Sequence, residues 1–293
     1  MNEIQNLFDS FGVTRYHSNG VFGQNVSIMV IDTGMESSRG AFVQAHKHGL
    51  AVSAIICPPE NMNGFQGIAP KARVELIDVR DSHSIPIDKI LKALQKAIDT
   101  NVDIISISLG TPDSWGPLEE LIAKANQRGI LVFAAAGNAG DRGYEYPAAC
   151  EHAISVASIN SARQPSSFNT RNDAVVIFAP GEDVRLPFGQ GGAMETFNGT
   201  SFATPFAAGL AALHISSLRS QNATVKVSRA EIIKTLRGED HLQLNCTTHS
   251  YVMEKTCTDF PPRIQEKKNS SVALFIGGFI LLALCLITYK LFK

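Results

Sequence analysis

Three residues spread through a chain of 293 have the types that nucleophilic catalysis requires. Asp32 closes the apolar run VSIMVID and is followed by Thr-Gly. His48 stands in HKHGLAVSAII at the head of an apolar helical run, and Ser201 follows Gly199 and Thr200 in ETFNGTSFATPFAAGLAALH. A serine hydroxyl attacks well only when an imidazole takes its proton. The imidazole in turn works best when a carboxylate holds its tautomer and steadies its cation. Acid, then imidazole, then hydroxyl is one of the chain orders in which such triads occur. Ser201 also has a plainer role open to it, as a helix N-cap accepting from free first-turn N–H groups, with Pro205 in the first turn where no N–H is needed. The small residues Ala203, Ala207, Ala208, Gly209, Ala211 and Ala212 argue for more. They let a buried helix approach its neighbours closely and aim its positive end at the hydroxyl, where developing negative charge is stabilised.

The elements that must position these residues read as alternating strands and helices. Residues 26–32, 73–79, 103–110 and 130–138 form short apolar runs of the kind found in buried parallel strands, and further runs cover 153–159 and 175–179. Between them, IPIDKILKALQKAID sets Ile87, Ile90, Leu91, Leu94 and Ile98 on one helical face. GPLEELIAKANQRG is a helix opened by Pro117 and stopped by Gly129, and helices also follow Ser201 and cover 228–236. The alternation predicts an α/β protein: a doubly wound, mostly parallel sheet with helices on both faces and its chemistry at the carboxyl ends of the strands.

Composition removes several alternatives. Hydrophobic residues make up 44% and charged residues 18%, which suits a folded body, and a net charge of −1 without a basic run excludes a nucleic-acid partner. The five cysteines have no zinc-type spacing: Cys57 and Cys150 lie in core-like surroundings, while Cys246 and Cys257 bracket a polar stretch and could pair in an oxidising compartment. Residues 272–289, VALFIGGFILLALCLITY, are 18 residues without a charge and span about 27 Å as a helix. The expected organisation is a catalytic domain over 1–244, a polar linker over 245–271, a transmembrane helix over 272–289 and a short basic tail over 290–293.

With these motifs in view, the chain resembles the subtilisin-like serine proteases, the subtilases, over roughly residues 10–240. VSIMVIDTG is similar to the family's aspartate motif, HGLAVSA to its histidine motif and NGTSFATPFAAG to its serine motif. The resemblance implies a triad of Asp32, His48 and Ser201. AAAGNAG resembles the segment whose Asn completes the oxyanion hole, which points to Asn138, and ISLG resembles the strand lining the substrate cleft. Ser108, Leu109, Gly110, Ala136, Gly137 and Glu145 are then the expected substrate-binding residues, and proteins or peptides the substrates. Glu145, in RGYEYPAA, falls where the family places a residue at the base of the pocket for the side chain before the scissile bond. A carboxylate there favours Lys or Arg, while a solvated charge in the polar loop with Asp141 and Arg142 is the other reading.

The departures from the family pattern are specific. Leu50, Ala51 and Ala54 replace the residues usual after the His-Gly pair, and only 16 residues separate Asp32 from His48. These changes keep a second reading open, a catalytically weak or inactive subtilase-like protein that binds peptides in its cleft. An α/β esterase is excluded, because that fold places its acid after a G-x-S-x-G elbow. Ala41 stands where many subtilases carry a calcium-ligating Asp, with Asn61 in the loop that wraps the ion, so no cofactor is expected and a structural calcium is doubtful. His46 and His48 have H-x-H spacing without a further ligand cluster, and no metal is assigned. The N-terminus carries no secretory pattern and opens close to mature-like sequence. Arg263, Lys267 and Lys268 before the hydrophobic span, against Lys290 and Lys293 after it, lean toward a tail anchor with the catalytic body in the cytosol. The N-x-[ST] sequences at Asn25, Asn198, Asn222, Asn245 and Asn269 are what a lumenal body would display.

Overall fold

Six apolar runs become six strands: β1 (Ser27–Asp32), β2 (Arg73–Asp78), β3 (Ile104–Ile107), β4 (Leu131–Ala135), β5 (Ile154–Ile159) and β6 (Val175–Pro180). They are taken from a computed structural model that describes residues 7–34, 47–59, 62, 64–81, 84–141 and 143–238. The expected linker, membrane span and tail lie outside the described residues, as do Cys246, Cys257, Cys285, His46, Ala41 and Asn61. The strands form one wholly parallel sheet in the order β2-β1-β3-β4-β5-β6. The chain starts at β1, steps outward to β2, then crosses back to β3 on the other side of β1. That reversal opens a crevice above the carboxyl ends of β1 and β3, where doubly wound sheets bind ligands.

Strands β1 and β3 to β6 are apolar on both faces because both faces are covered, while the edge strand β2 exposes Arg73 and Glu75. Ile28 and Val30 of β1, Ile104, Phe133 and Val156 face one core, and Met29, Ile31, Ile105, Ile107 and Val132 face the other. The second core is closed by Ile90, Leu94 and Ile98 of a helix over Ile87–Asp99 and by Leu118, Ile122 and Ala125 of a helix over Gly116–Gln127. The first is closed by a helix over Lys47–Ile56 and by the long helix Thr200–Gln221. With Val13–Ser18 as α1, these are α2 (Lys47–Ile56), α3 (Ile87–Asp99), α4 (Gly116–Gln127), α5 (Thr200–Gln221) and, last, α6 (Arg229–Leu236). Among the described residues α5 is the one helix long and apolar enough to cross a membrane, and here it is the buried core helix. It packs against α2 and strands β3 to β6. Its alanines, fully buried, let it lie close to the strands at interior packing density.

Two elements were not visible in the sequence pattern. One is α1, whose neighbour Phe11 meets Phe206 of α5 edge-on at 5.5 Å. The other is an antiparallel hairpin of β7 (Val184–Leu186) and β8 (Glu195–Phe197), with strands too short to show a period. Two expected strands end early: 103–110 pairs only to Ile107 and 130–138 only to Ala135. The residues beyond leave the ladder at the carboxyl edge and become walls of the crevice. Cys57 is half-buried and Cys150 buried.

Candidate active site

Asp32 is the last residue of β1, so the strand delivers its carboxylate to the carboxyl edge of the sheet, and the residue is 1% exposed. Its Oδ1 accepts from the backbone N–H of Thr33 (2.6 Å), from Thr33 Oγ1 (3.3 Å) and from His48 Nδ1 (2.7 Å). Oδ2 is buried and has no partner among the described residues. His48 enters from α2, whose first turn is pressed against the backbone just after Asp32. The Gly49 N–H donates to the Thr33 carbonyl at 2.9 Å, and a Cβ at Gly49 would lie 2.0 Å from that oxygen. Glycine is thus required beside the histidine for the imidazole to reach the carboxylate. The bond fixes the proton on Nδ1 and leaves Nε2, buried and unbonded, as the basic nitrogen. Phe202 meets the imidazole edge-on at 5.5 Å from α5, and Lys47 ties the helix start to the hairpin through Phe188 O (3.0 Å) and Glu195 (3.4 Å).

Ser201 corrects the expected capping. The N-cap of α5 is Gly199, with no side-chain cap, and Ser201 is inside the first turn. Pro205 lies in the second turn rather than the first. The Ser201 hydroxyl donates to the Ser108 carbonyl at 3.2 Å instead of capping the helix. Gly199 has φ 145°, a conformation that side chains rarely adopt. A Cβ there would lie 3.2 Å from Asn138 Nδ2 and 3.7 Å from the Ser201 nitrogen. The glycine therefore leaves open a space between two N–H donors, one of them in the first helical turn where no intrahelical acceptor exists. Asn138 is held for this by Thr200, whose N–H (2.9 Å) and hydroxyl (3.0 Å) both donate to Asn138 Oδ1, fixing the amide so that Nδ2 faces the space. Thr200, Thr33 and Phe202 carry no signal of their own in the sequence; each is a direct neighbour of a residue that does.

A cavity of about 310 Å³ adjoins this constellation, lined by Ser108, Leu109, Gly110, Gly137, Asn138, Glu145, Thr200 and Ser201, with Pro112, Ala135 and Ala139. Ala136 is not among them. It points into the core while Ala135 lines the cavity, since successive side chains of an extended segment face opposite ways. Glu145 is carried in by an antiparallel bridge, Thr111 N–H to Tyr146 O (3.0 Å) and Tyr146 N–H to Thr111 O (2.7 Å). Its side chain runs between the two extended walls: a Cβ at Gly110 would be 3.1 Å from Oε2, and one at Gly137 would be 2.4 Å from Cγ. Burial, aided by the charge of Asp141, pushes its carboxyl up to about 7. Glu145 thus lines the cavity at intermediate exposure. Among the described residues no group of three or more His, Cys, Asp or Glu could hold a metal ion.

A buried acid–imidazole pair, a hydroxyl at the positive end of a helix and a two-donor space beside it can together carry out acyl transfer at a carbonyl. Comparison with known proteins agrees with that chemistry. The subtilase family model matches residues 23–253, and the chain belongs to this family; its class is that of the subtilisin-like serine endopeptidases. It is 38% identical over 223 residues to subtilisin of Bacillus pumilus, covering 68% of this chain and 80% of that protein. Subtilisin E of Bacillus subtilis (strain 168) is also 38% identical over 223 residues, but there the match covers only 58% of the relative's length. An intracellular serine protease of Paenibacillus polymyxa is 38% identical over 218 residues, 65% of this chain and 67% of that one. Among solved structures, the prenylagaramide maturation protease PagA shares the fold with a TM-score of 0.64 at 24% identity, over 76% of this chain and 85% of that one. The self-cleaved protease domain of PatA gives 0.59 at 27% identity, over 72% and 85%.

Proposed function

We propose that this chain hydrolyses peptide bonds in proteins or peptides through an acyl-enzyme. Ser201 Oγ attacks the carbonyl carbon while its proton passes to His48 Nε2. Asp32 keeps the Nδ1 proton in place and stabilises the imidazolium, and the oxyanion lies between Asn138 Nδ2 and the Ser201 N–H. His48 then protonates the departing amine, and water, deprotonated by the same nitrogen, releases the acid. These steps call for no cofactor. The observation that carries the reading is the 2.7 Å Asp32–His48 bond beside a cavity that Ser201 and Asn138 both line.

Glu145 supports a finer statement: the cavity takes the residue before the scissile bond, and that residue is Lys or Arg. An anionic carboxylate between apolar walls pairs with a cation far more strongly than it would in water. Residues 272–289 support anchoring to a membrane, and the excess of basic residues ahead of them supports a cytosolic catalytic body. One observation favours a binding-only protein, namely that Ser201 Oγ bonds Ser108 rather than His48. A rotation of the side chain between staggered wells removes that bond at small cost, so we retain the enzyme. A fluorophosphonate probe decides the matter: labelling at Ser201, lost in Ser201→Ala, is the expected result, and no labelling of folded protein leaves the binding reading. Protease protection on sealed membranes checks the topology, with a body digested from the cytosolic side expected and a protected or N-glycosylated body contrary to it.

A further inference from the structure

In an α-helix the carbonyl of residue i accepts from the N–H of residue i+4. For Ser201 that residue is Pro205, which has no N–H and whose ring also crowds the carbonyl four residues back. The nucleophile's own carbonyl is thus left without its helical donor in the interior, where an unfilled acceptor is costly. Ser108, 1% exposed and 93 residues away in sequence, donates its hydroxyl to that carbonyl at 2.7 Å. The neighbouring carbonyl, of Thr200, has Thr204 as a helical neighbour and receives the Thr204 hydroxyl as well at 2.8 Å. Of these two, the nucleophile's carbonyl is the one handed to a different element.

We infer that Ser108 is a positioning residue whose hydroxyl replaces the N–H removed by Pro205, fixing the first turn of α5, and with it Ser201, against the end of β3. The hydrogen bond spans the crevice wall and the nucleophile helix, so it sets how Ser201 stands relative to His48, which α2 delivers independently. Proline is the feature that makes this possible. With an ordinary residue at 205, the carbonyl would regain its helical donor, and the Ser108 hydroxyl would be an addition to that bond rather than its replacement. The inference rests on the protease reading where it concerns rate, and on the hydrogen bond alone where it concerns stability.

The test is a double-mutant cycle of Ser108→Ala and Pro205→Ala, read in both activity and denaturant unfolding. Ser108→Ala is expected to lower kcat about 10-fold or more with KM changed less than twofold, because orientation and not substrate contact is lost. In the Pro205→Ala background, where a backbone N–H is available again, the same change is expected to cost less than twofold in kcat and to leave the unfolding midpoint nearly unmoved. Equal effects of Ser108→Ala in the two backgrounds, or an effect confined to KM, overturn the inference. The unfolding cycle reads the Ser108–Pro205 coupling even in protein that a fluorophosphonate does not label, so failure of the protease reading is told apart from failure of this one. If Ser108→Ala does not fold, Ser108→Cys, nearly isosteric and a weak donor, replaces it with the same expected pattern.

Discussion

Asp32 and Asp103 are two carboxylates withdrawn from solvent at opposite edges of one sheet, and they are treated oppositely. Asp103, just ahead of β3 at the amino edge, uses both oxygens: Oδ2 accepts from Ser27 N–H (2.8 Å) and Ser27 Oγ (2.9 Å), and Oδ1 from Arg219 of α5 (2.6 Å). Burial opposes its ionisation, but these bonds outweigh it and hold the carboxyl below its ordinary value. Among the described residues Asp32, at the carboxyl edge, crowds every partner onto Oδ1 and keeps Oδ2 buried and unbonded, and the His48 Nε2 is unbonded too. The amino edge closes its polar groups and clamps the core helix. The carboxyl edge leaves valences open although Asp32 is the more deeply buried of the two, 1% against 18% exposed, which is the condition for a group to exchange protons with a substrate.

The contrast breaks most visibly through Asp32→Asn, expected to lower kcat about 10⁴-fold by favouring the wrong imidazole tautomer. That size, like the next, is carried over from related serine proteases. Steady-state kinetics on a peptide substrate checks it, and a loss below tenfold would place Asp32 with the structural carboxylates. Next, Asn138→Leu should cost about 10² to 10³ in kcat with KM little changed, since the amide donor meets only the developing oxyanion.

Asp103→Asn should do the reverse of Asp32→Asn. We expect kcat within a few-fold of wild type and a loss of about 2 kcal/mol in denaturant unfolding, because Arg219 keeps its charge without its counter-ion. Because the folded-state pKa is depressed, this stability is present at neutral pH. It is lost as pH falls below the ordinary value of 3.8 toward the lower folded value, so wild type and variant should converge at acid pH. The smallest expected effect concerns the cavity. Glu145 is neutral below about 7 and anionic above it, so the ratio of kcat/KM for an Arg substrate over a neutral isostere should rise about tenfold between pH 6 and 8. Taking the ratio cancels any pH dependence that the two substrates share. A flat ratio in wild type, equal to that of Glu145→Gln, would remove the specificity role.

Much of this arrangement was legible in the chain itself. Apolar runs announced the strands, and the helical period of Ile90, Leu94 and Ile98 announced α3, whereas the capping box of Ser228 with Glu231 that starts α6 came only from the structure. The three motifs named Asp32, His48 and Ser201 because each is a local signal, a polar residue at one end of an apolar or small-residue run with a glycine within two positions. Short strands without a period, as in β7 and β8, gave no such signal. The choice between Ala135 and Ala136 turned on a single residue of strand phase, which composition does not reveal.

Sequence by itself determined the class of the fold, the order of the six parallel strands and the candidates for the reactive side chains, since each is written in contiguous residues. Tertiary structure decided what no window of sequence contains: that Thr200 orients Asn138, that Glu145 is driven between Gly110 and Gly137 and so retains its proton to about 7, and that Ser108 answers the carbonyl Pro205 leaves open. These are contacts between residues as many as 93 positions apart, formed where parallel strands end together at one edge of a sheet. The physical reason is that hydrogen-bond satisfaction and desolvation depend on which atoms are adjacent in space, and adjacency at a strand's end is set by the strands and helices beside it.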